Sequence, residues 1–439
     1  MVKVVKFGGS SLASAGQFEK VANIIHSDES RKYVVPSAPG KRTKSDTKVT
    51  DMLYACYALA EADKDYEPSL MKIKARYDEI IKGLNLDLSL DKEFDTIRAN
   101  FKKHAGKDYA ASRGEYLNGI VMANYLGFEF LDAAEVVFFD SEGNFLANET
   151  NTALSNRLKD MGKVVLPGFY GSTTDGRVKT FSRGGSDITG SILARAAKAD
   201  MYENWTDVSG FLVADPRIVE NPVTINTITY RELRELSYMG ATVLHEDAVF
   251  PVRESGIPIN IKNTNRPEDE GTMIVESTCR TPDYTITGIA GKKGFVSINI
   301  EKDMMNSEIG FGRKILEAFE MNGISFEHMP SGIDTLTVFV HQPEFEGKEQ
   351  AVLSAIHRLC EPDSIEIDTG LALIAVVGRG MRSNRGVAGR MFAALAHNNI
   401  NIRMIDQGSS ELNIIIGVAD EDFETAIKSI YDMFVLTKL

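Results

Sequence analysis

The chain has 439 residues, 43% of them hydrophobic and 25% charged, with a formal net charge of −13. Such a length suits two or three domains, and an acidic surface offers no favourable field to nucleic acid or an anionic membrane, so neither is expected as a partner. Cys56, Cys279 and Cys360 are scattered without paired spacing, which gives neither a disulfide framework nor a zinc site and points to the reduced cytoplasm.

The N-terminal residues enter an apolar alternation without the h-region of a signal peptide, and no run approaches about 18 apolar residues, so neither export nor a membrane span is expected. Residues 2–7 read as a buried strand bounded by Gly8-Gly9. Behind it Phe18, Val21, Ala22 and Ile25 recur at helical spacing, and Ser14 with Gln17 three residues on predicts a capping box. This unit places Lys6 at the carboxyl end of the strand, where open α/β sheets hold ligands. A second strand, 32–35, runs into Pro36-Ser37-Ala38-Pro39-Gly40 and a polar tract, 41–48, that reads as a solvated flexible loop.

Residues 51–105 are mostly helical in pattern. Another amphipathic helix is expected to begin at Gly114-Glu115, with the acid in the first turn favouring the helix dipole. Short strands are expected near 129–131, 136–139 and 164–166. Thr180-Phe181-Ser182-Arg183-Gly184-Gly185-Ser186-Asp187 then reads as a loop opening a helix, because Ile188, Ile192, Leu193 and Ala196 follow at helical spacing. Its glycines let a ligand approach the backbone, the helix N-terminus offers unpaired N–H groups, and arginine can fork onto a carboxylate or phosphate. A strand near 201–205 leads into Trp205-Thr206-Asp207-Val208 and, further on, Asp215-Pro216-Arg217. Strand–loop–helix alternation to about residue 265 predicts a largely parallel sheet covered on both faces.

Beyond residue 284 the chain repeats itself at a shift of 76 residues, which carries Ile315 onto Met391, Phe319 onto Leu395, and Leu336, Val338 and Val340 onto Leu412, Ile414 and Ile416. Each copy reads strand, loop, helix, strand, strand, a small α+β module. Two common nucleotide signatures are missing: Gly171 to Gly176 has P-loop glycine spacing but is followed by Arg177-Val178, and Gly310-Phe311-Gly312 lacks the third glycine of a dinucleotide fingerprint. What remains at the strand ends is Lys6, Ser37, Glu115, Arg183, Asp187 and Asp207, a set suited to phosphoryl transfer onto a zwitterionic acid.

Lys6-Phe7-Gly8-Gly9-Ser10-Ser11, Gly114-Glu115, Arg183-Gly184-Gly185-Ser186-Asp187 and Trp205-Thr206-Asp207-Val208, with Asp215-Pro216-Arg217 and the C-terminal repeat, resemble the aspartokinases over almost the whole chain. The resemblance implies an α/β fold: a three-layer amino-acid-kinase domain with a largely parallel central sheet over 1–283, then two α+β ACT domains over 284–439. It implies phosphorylation of L-aspartate to 4-phospho-L-aspartate by ATP carrying Mg2+, the first step towards lysine, threonine and methionine. By the same resemblance Arg183 grips the substrate α-carboxylate and Glu115 accepts its ammonium. Ser37, Ser186 and Thr50 contact the rest, with Thr47 an alternative to Thr50. Lys6 stabilises the transferring charge, Asp187 holds Lys6 in place, and Gly8, Gly9, Ser10, Thr206, Asp207 and Arg217 line the ATP pocket with Lys6.

ACT pairs resemble sensors of pathway end products and usually dimerise, so a homodimer or a higher assembly is expected. Lysine, or else threonine, is expected near Met305, Ser325, Phe326 and Glu327. The second repeat has Arg403 in place of Glu327, so only the first copy carries an acid for an effector ammonium. Two positions depart from the family: Thr242 stands where a nucleotide-binding lysine is common, and Leu212 where a tyrosine lies near the adenine. They keep open a ligand-sensing ACT protein with a degenerate kinase domain, and an acceptor such as glutamate is a further alternative. A fused homoserine dehydrogenase is not expected, since the second repeat runs to Leu439.

Overall fold

The computed structural model describes residues 1–182, 184–241, 244, 248–278 and 284–436. Its chain divides into two units. The first comprises Met1–Phe211, Thr224–Arg231 and Thr242–Thr278, the second Leu212–Val223, Glu232–Ala241 and Cys279–Leu439.

In the first unit β1 (Lys3–Phe7), α1 (Ala15–His26) and β2 (Arg31–Pro36) form the expected strand–helix–strand, followed by α2 (Val49–Glu61), α3 (Glu67–Gly83), α4 (Asp91–Lys102) and α5 (Lys107–Leu126). Next come β3 (Glu129–Phe130), β4 (Phe138–Phe139), α6 (Ala147–Leu158), β5 (Val164–Val165), β6 (Tyr170–Thr173), β7 (Val178–Thr180), α7 (Gly185–Ala196) and β8 (Met201–Thr206). The unit is completed by β9 (Thr227–Thr229), the start of α8 (Tyr230–Tyr238), α9 (Phe250–Glu254), β10 (Ile259–Asn263) and β11 (Thr272–Val275). Among the described residues eight strands make one sheet in the order β3-β5-β2-β1-β8-β10-β11-β9. It is parallel except where β11 meets β10. Val4 and Val5 point to opposite faces of central β1 and both are fully buried, so the sheet is covered on both sides. The glycine spacing at 171–176 belongs to an antiparallel hairpin of β6 and β7, which joins β4 in a separate small sheet.

Three local expectations need correction. Ser14 is the N-cap of α1 but makes no side-chain cap bond, and Gln17 turns away to donate to Asn265 Oδ1 at 3.2 Å, so no capping box forms. Helix α5 begins seven residues before Gly114, so Glu115 is a buried mid-helix residue rather than a first-turn dipole partner. Its helix continues past Gly114 because the pattern Ala110, Ala111, Ser112, Arg113 is itself buried and helical. The tract 41–48 is exposed, yet it is tethered: Asp46 takes Arg42 at 2.9 Å and buried Arg76 at 2.7 Å, and Arg42 also reaches Glu79 at 2.7 Å. Hydrogen bonds from Arg42 hold the Asp46 carboxyl well below the usual carboxylate range.

The second unit contains β12 (Gly288–Glu301), α10 (Phe311–Glu320), β13 (Thr335–His341), α11 (Gln342–Phe345), α12 (Glu349–Cys360), β14 (Ser364–Val377), α13 (Val387–His397), β15 (Met404–Asp406), β16 (Asn413–Ala419) and α14 (Phe423–Tyr431). The shift of 76 residues carries β12 onto β14 end for end and the start of α10 onto that of α13. All five strands are antiparallel, in the order β13-β12-β14-β16-β15. The copies are interleaved rather than separate beads. β13 pairs with residues 295–301 of β12, β16 with residues 371–377 of β14, and the two long strands pair with each other along their length. Each copy thus borrows half a strand from the other, and each ends in a helix, α12 or α14, that the strand–helix–strand–strand pattern omits. Among the described residues no helix is long and apolar enough to cross a membrane.

Candidate active site

The carboxyl ends of β1, β2, β8 and β10 meet at one edge of the parallel sheet. Gly8 donates its N–H to Trp205 O at 3.0 Å, Thr264 to Thr206 O at 2.9 Å, and Gly40 to Gly9 O at 2.8 Å. Gly9 and Gly40 are in backbone contact: a Cβ on Gly40 would lie 2.6 Å from the Gly9 carbonyl carbon. Only residues without a side chain let these loops touch, which leaves exposed Ser10 at the rim and buried Ser11 hydrogen-bonded to the Thr264 hydroxyl at 2.8 Å.

Lys6 is buried, and its Nζ lies 2.5 Å from Asp187 Oδ1 and 3.4 Å from Asn204 Oδ1. Asn204 in turn donates from Nδ2 to Asp187 Oδ1 at 2.8 Å. The pairing of β1 with β8 sets Lys6 opposite Asn204, and α7 brings Asp187 down from its first turn. Asn204 escaped the sequence reading. Its signal was a pair of polar residues, Glu203-Asn204, inside an otherwise apolar buried strand.

Helix α7 opens as expected, with Gly184 in the left-handed region at φ 58° as its N-cap. Arg183 lies outside the described residues, as does Thr242. Gly185 packs on Phe169, which itself holds φ 80°, a conformation costly for a bulky side chain. That turn is fastened by Phe169 N–H to Thr189 Oγ1 at 3.0 Å, Thr189 Oγ1 to Gly185 O at 2.8 Å, and Phe181 N–H to Phe169 O at 3.0 Å. A Cβ on Gly185 would lie 2.5 Å from Phe169 Cδ2 and 2.9 Å from its Cα. Gly185→Ala is therefore expected to destabilise the protein by about 1–3 kcal/mol, read as a lowered Tm, and to reduce activity by displacing Ser186 and Asp187. Buried Ser186 sits against Gly168, whose N–H is bound to Pro36 O at 3.2 Å at the end of β2.

The remaining wall comes from α5. A Cβ on Gly114 would meet Ala38 Cβ at 2.8 Å and lie 3.8 Å from Thr50 Oγ1, which puts half-buried Thr50 beside Gly114, whereas Thr47 is exposed. Glu115 is buried, and its Oε2 has no hydrogen-bond partner. Burial pushes its carboxyl up to about 8, against the pull of the backbone N–H groups of Ala38 and of Glu115 itself. One turn along, Asn118 Nδ2 donates to Ser37 O at 2.6 Å, and Ser37 N–H donates to Phe7 O at 3.1 Å. Lys6, Ser37, Thr50, Glu115, Ser186 and Asp187 thus gather at one edge, with a fixed cation and a buried acid that has a free oxygen.

Thr206 ends β8 at the same edge and is half-buried, with its hydroxyl 3.2 Å from Oδ1 of exposed Asp207. Arg217 belongs to the second unit, is exposed, and pairs with Asp215 at 2.6 Å. In that unit Met305 is buried in the core of the first copy, with Phe311 and Phe319, while Ser325 and Phe326 are exposed. The Ser325 N–H faces Glu344 Oε2 at 3.3 Å, and Glu327 accepts the Tyr238 hydroxyl. A groove of about 800 Å³ on the sheet, lined by Ser297, Asn299, Thr337, Asp368 and Arg403 among others, includes none of these four effector candidates.

A family model described as the amino acid kinase family matches residues 1–263, and one described as an ACT domain matches residues 374–434. The chain is 42% identical to aspartokinase 3 of Bacillus subtilis over 99% of its own length and 98% of that protein's. The aspartate kinase of Clostridium acetobutylicum is 54% identical in a solved structure, with a TM-score of 0.90 over 99% of both chains. Aspartokinase III of E. coli, solved with aspartate and ADP, shares the fold at 24% identity and a TM-score of 0.74 over the whole of both chains. With one family model over more than half of the chain and close relatives along its full length, the chain belongs to the aspartokinases of the amino acid kinase family and is an aspartate kinase.

Proposed function

We propose that the sheet edge described above transfers the γ-phosphoryl group of ATP to the side-chain carboxylate of L-aspartate, giving 4-phospho-L-aspartate. An aspartate carboxylate is ionised at pH 7, its unperturbed pKa being about 4, so no general base is required. The obstacle is the approach of two anions. At about 4 Å and an effective dielectric near 20, one unit pair costs or gains about 4 kcal/mol, so one well-placed cation decides the outcome. Lys6 is that cation, and Asp187 with Asn204 fixes its Nζ. Glu115 receives the substrate ammonium, Arg183 the α-carboxylate, and Ser37, Ser186 and Thr50 the rest. Gly8, Gly9, Ser10, Thr206 and Asp207 serve the nucleotide, whose Mg2+ supplies further positive charge at the phosphates.

One observation carries this reading: a buried lysine anchored at 2.5 Å by Asp187 shares the sheet edge with a buried acid whose second oxygen is unpartnered. The test incubates the protein with ATP, Mg2+ and aspartate, and traps acyl phosphate with hydroxylamine. Aspartyl hydroxamate should form, with little or none from glutamate. A silent assay at every aspartate concentration would instead favour a scaffold.

The catalytic part is assigned to residues 1–283 and a regulatory ACT pair to 284–439, in a cytoplasmic homodimer at the head of the lysine, threonine and methionine pathway. Lysine is the proposed inhibitor, binding near Met305, Ser325, Phe326 and Glu327 of the first copy. Titrating lysine and threonine against the initial rate should give inhibition by lysine, and flat curves for both would remove this regulatory assignment.

A further inference from the structure

Asn118 is fully buried on α5, one turn after Glu115, so the two side chains share a helix face. Its Nδ2 donates to Ser37 O at 2.6 Å, while its Oδ1 is buried without a partner, as is Oε2 of Glu115. The amide cannot be turned over to repair this, because Ser37 O only accepts and requires the NH2 group. Neighbouring Gly119 is packed against Phe130 and Pro167, where a Cβ would lie 3.0 and 3.2 Å from their side chains. Buried polar oxygens are ordinarily satisfied, and two unpartnered ones a turn apart, one of them an acceptor only once its carboxyl has ionised, call for a ligand that brings more than one N–H. A primary ammonium has three.

We propose that Asn118 is a specificity-determining residue: its Oδ1 takes a second hydrogen of the substrate's primary ammonium beside Glu115, while its Nδ2 keeps Ser37 in place. This rests on the reading of the site as an aspartate-binding one. Neither function needs the carboxamide to react. Discrimination between dicarboxylic acids with and without an ammonium is then shared by Glu115, through charge, and Asn118, through geometry.

The experiment compares L-aspartate with succinate, which keeps both carboxylates and lacks the ammonium, by competition in the full chain, for the wild type, Asn118→Leu and Asn118→Asp. Asn118→Leu removes both polar atoms: the lost hold on Ser37 should weaken both ligands, and the lost Oδ1 should weaken aspartate by about a further 10-fold, so that the preference for aspartate collapses. Asn118→Asp keeps an acceptor and should retain most of that preference. If Asn118 only holds Ser37, both ligands weaken together and the ratio stays at its wild-type value, which overturns the proposal. If Asn118→Leu does not fold, as judged by circular dichroism, Asn118→Asp decides alone: loss of the preference there overturns the proposal. Failure of the underlying reading is distinguishable, because the wild type itself would then show no preference for aspartate and make no aspartyl hydroxamate.

Discussion

Lys6→Ala should lower kcat about 10²- to 10³-fold while leaving the KM for aspartate near its wild-type value, because the ammonium matters most when charge gathers on the transferring phosphoryl group. Its burial and its two contacts, Asp187 at 2.5 Å and Asn204 at 3.4 Å, mean that the cation is positioned before substrate arrives. Little reorganisation then remains for the reaction itself. The same substitution strips Asp187 of its cation and leaves it, among the described residues, the Asn204 Nδ2 side-chain donor, so a lowered Tm should accompany the loss of rate. Asp187→Asn keeps the lysine and removes only its electrostatic anchor, so its kcat should fall between those of wild type and Lys6→Ala. A raised KM with unchanged kcat in Lys6→Ala would move this residue from the chemistry to ground-state binding.

A large pH effect is expected from Glu115. Burial raises its carboxyl from an ordinary value of 4.5 to about 8, so the neutral form prevails at pH 7. An ammonium ligand needs the ionised form. At pH 7 that form is the minority, and apparent affinity is reduced by its fraction. Affinity for aspartate should therefore improve on the order of tenfold as pH rises from 7 to 9. The sign for stability is opposite: the folded protein holds a proton that the unfolded chain gives up above 4.5, so the empty protein loses this contribution progressively as pH rises towards 8. Glu115→Gln should raise the KM for aspartate about 10- to 100-fold and flatten this pH dependence, read from initial rates at saturating ATP.

What the sequence made legible was local. The strand, glycine loop and helix of 2–25, the helix opened by Gly184-Gly185, and the repeat of 76 residues depend on periodicity within short windows, and those elements stand where expected. The central parallel sheet followed from strand–helix alternation in the same way. What was not legible depends on pairing across the chain. Asn204 matters only because β8 lies beside β1, 198 residues away, and Asn118 only because α5 crosses the end of β2. The local pattern put Glu115 in a first helical turn and the resemblance gave it the substrate ammonium; that α5 starts at Lys107 and buries the carboxyl was not legible. Interleaving of the two C-terminal copies was equally hidden. A repeat in sequence reports the unit but not which copy lends its strand to which.

The most direct test of the site is proton release on binding aspartate, measured by calorimetry at pH 7 in buffers of differing ionisation enthalpy. A buried Glu115 raised to about 8 that must ionise to receive the ammonium predicts release of most of one proton by the wild type and almost none by Glu115→Gln. Binding by the wild type without proton release, or equal release by both proteins, would contradict the assignment of Glu115 to the substrate ammonium.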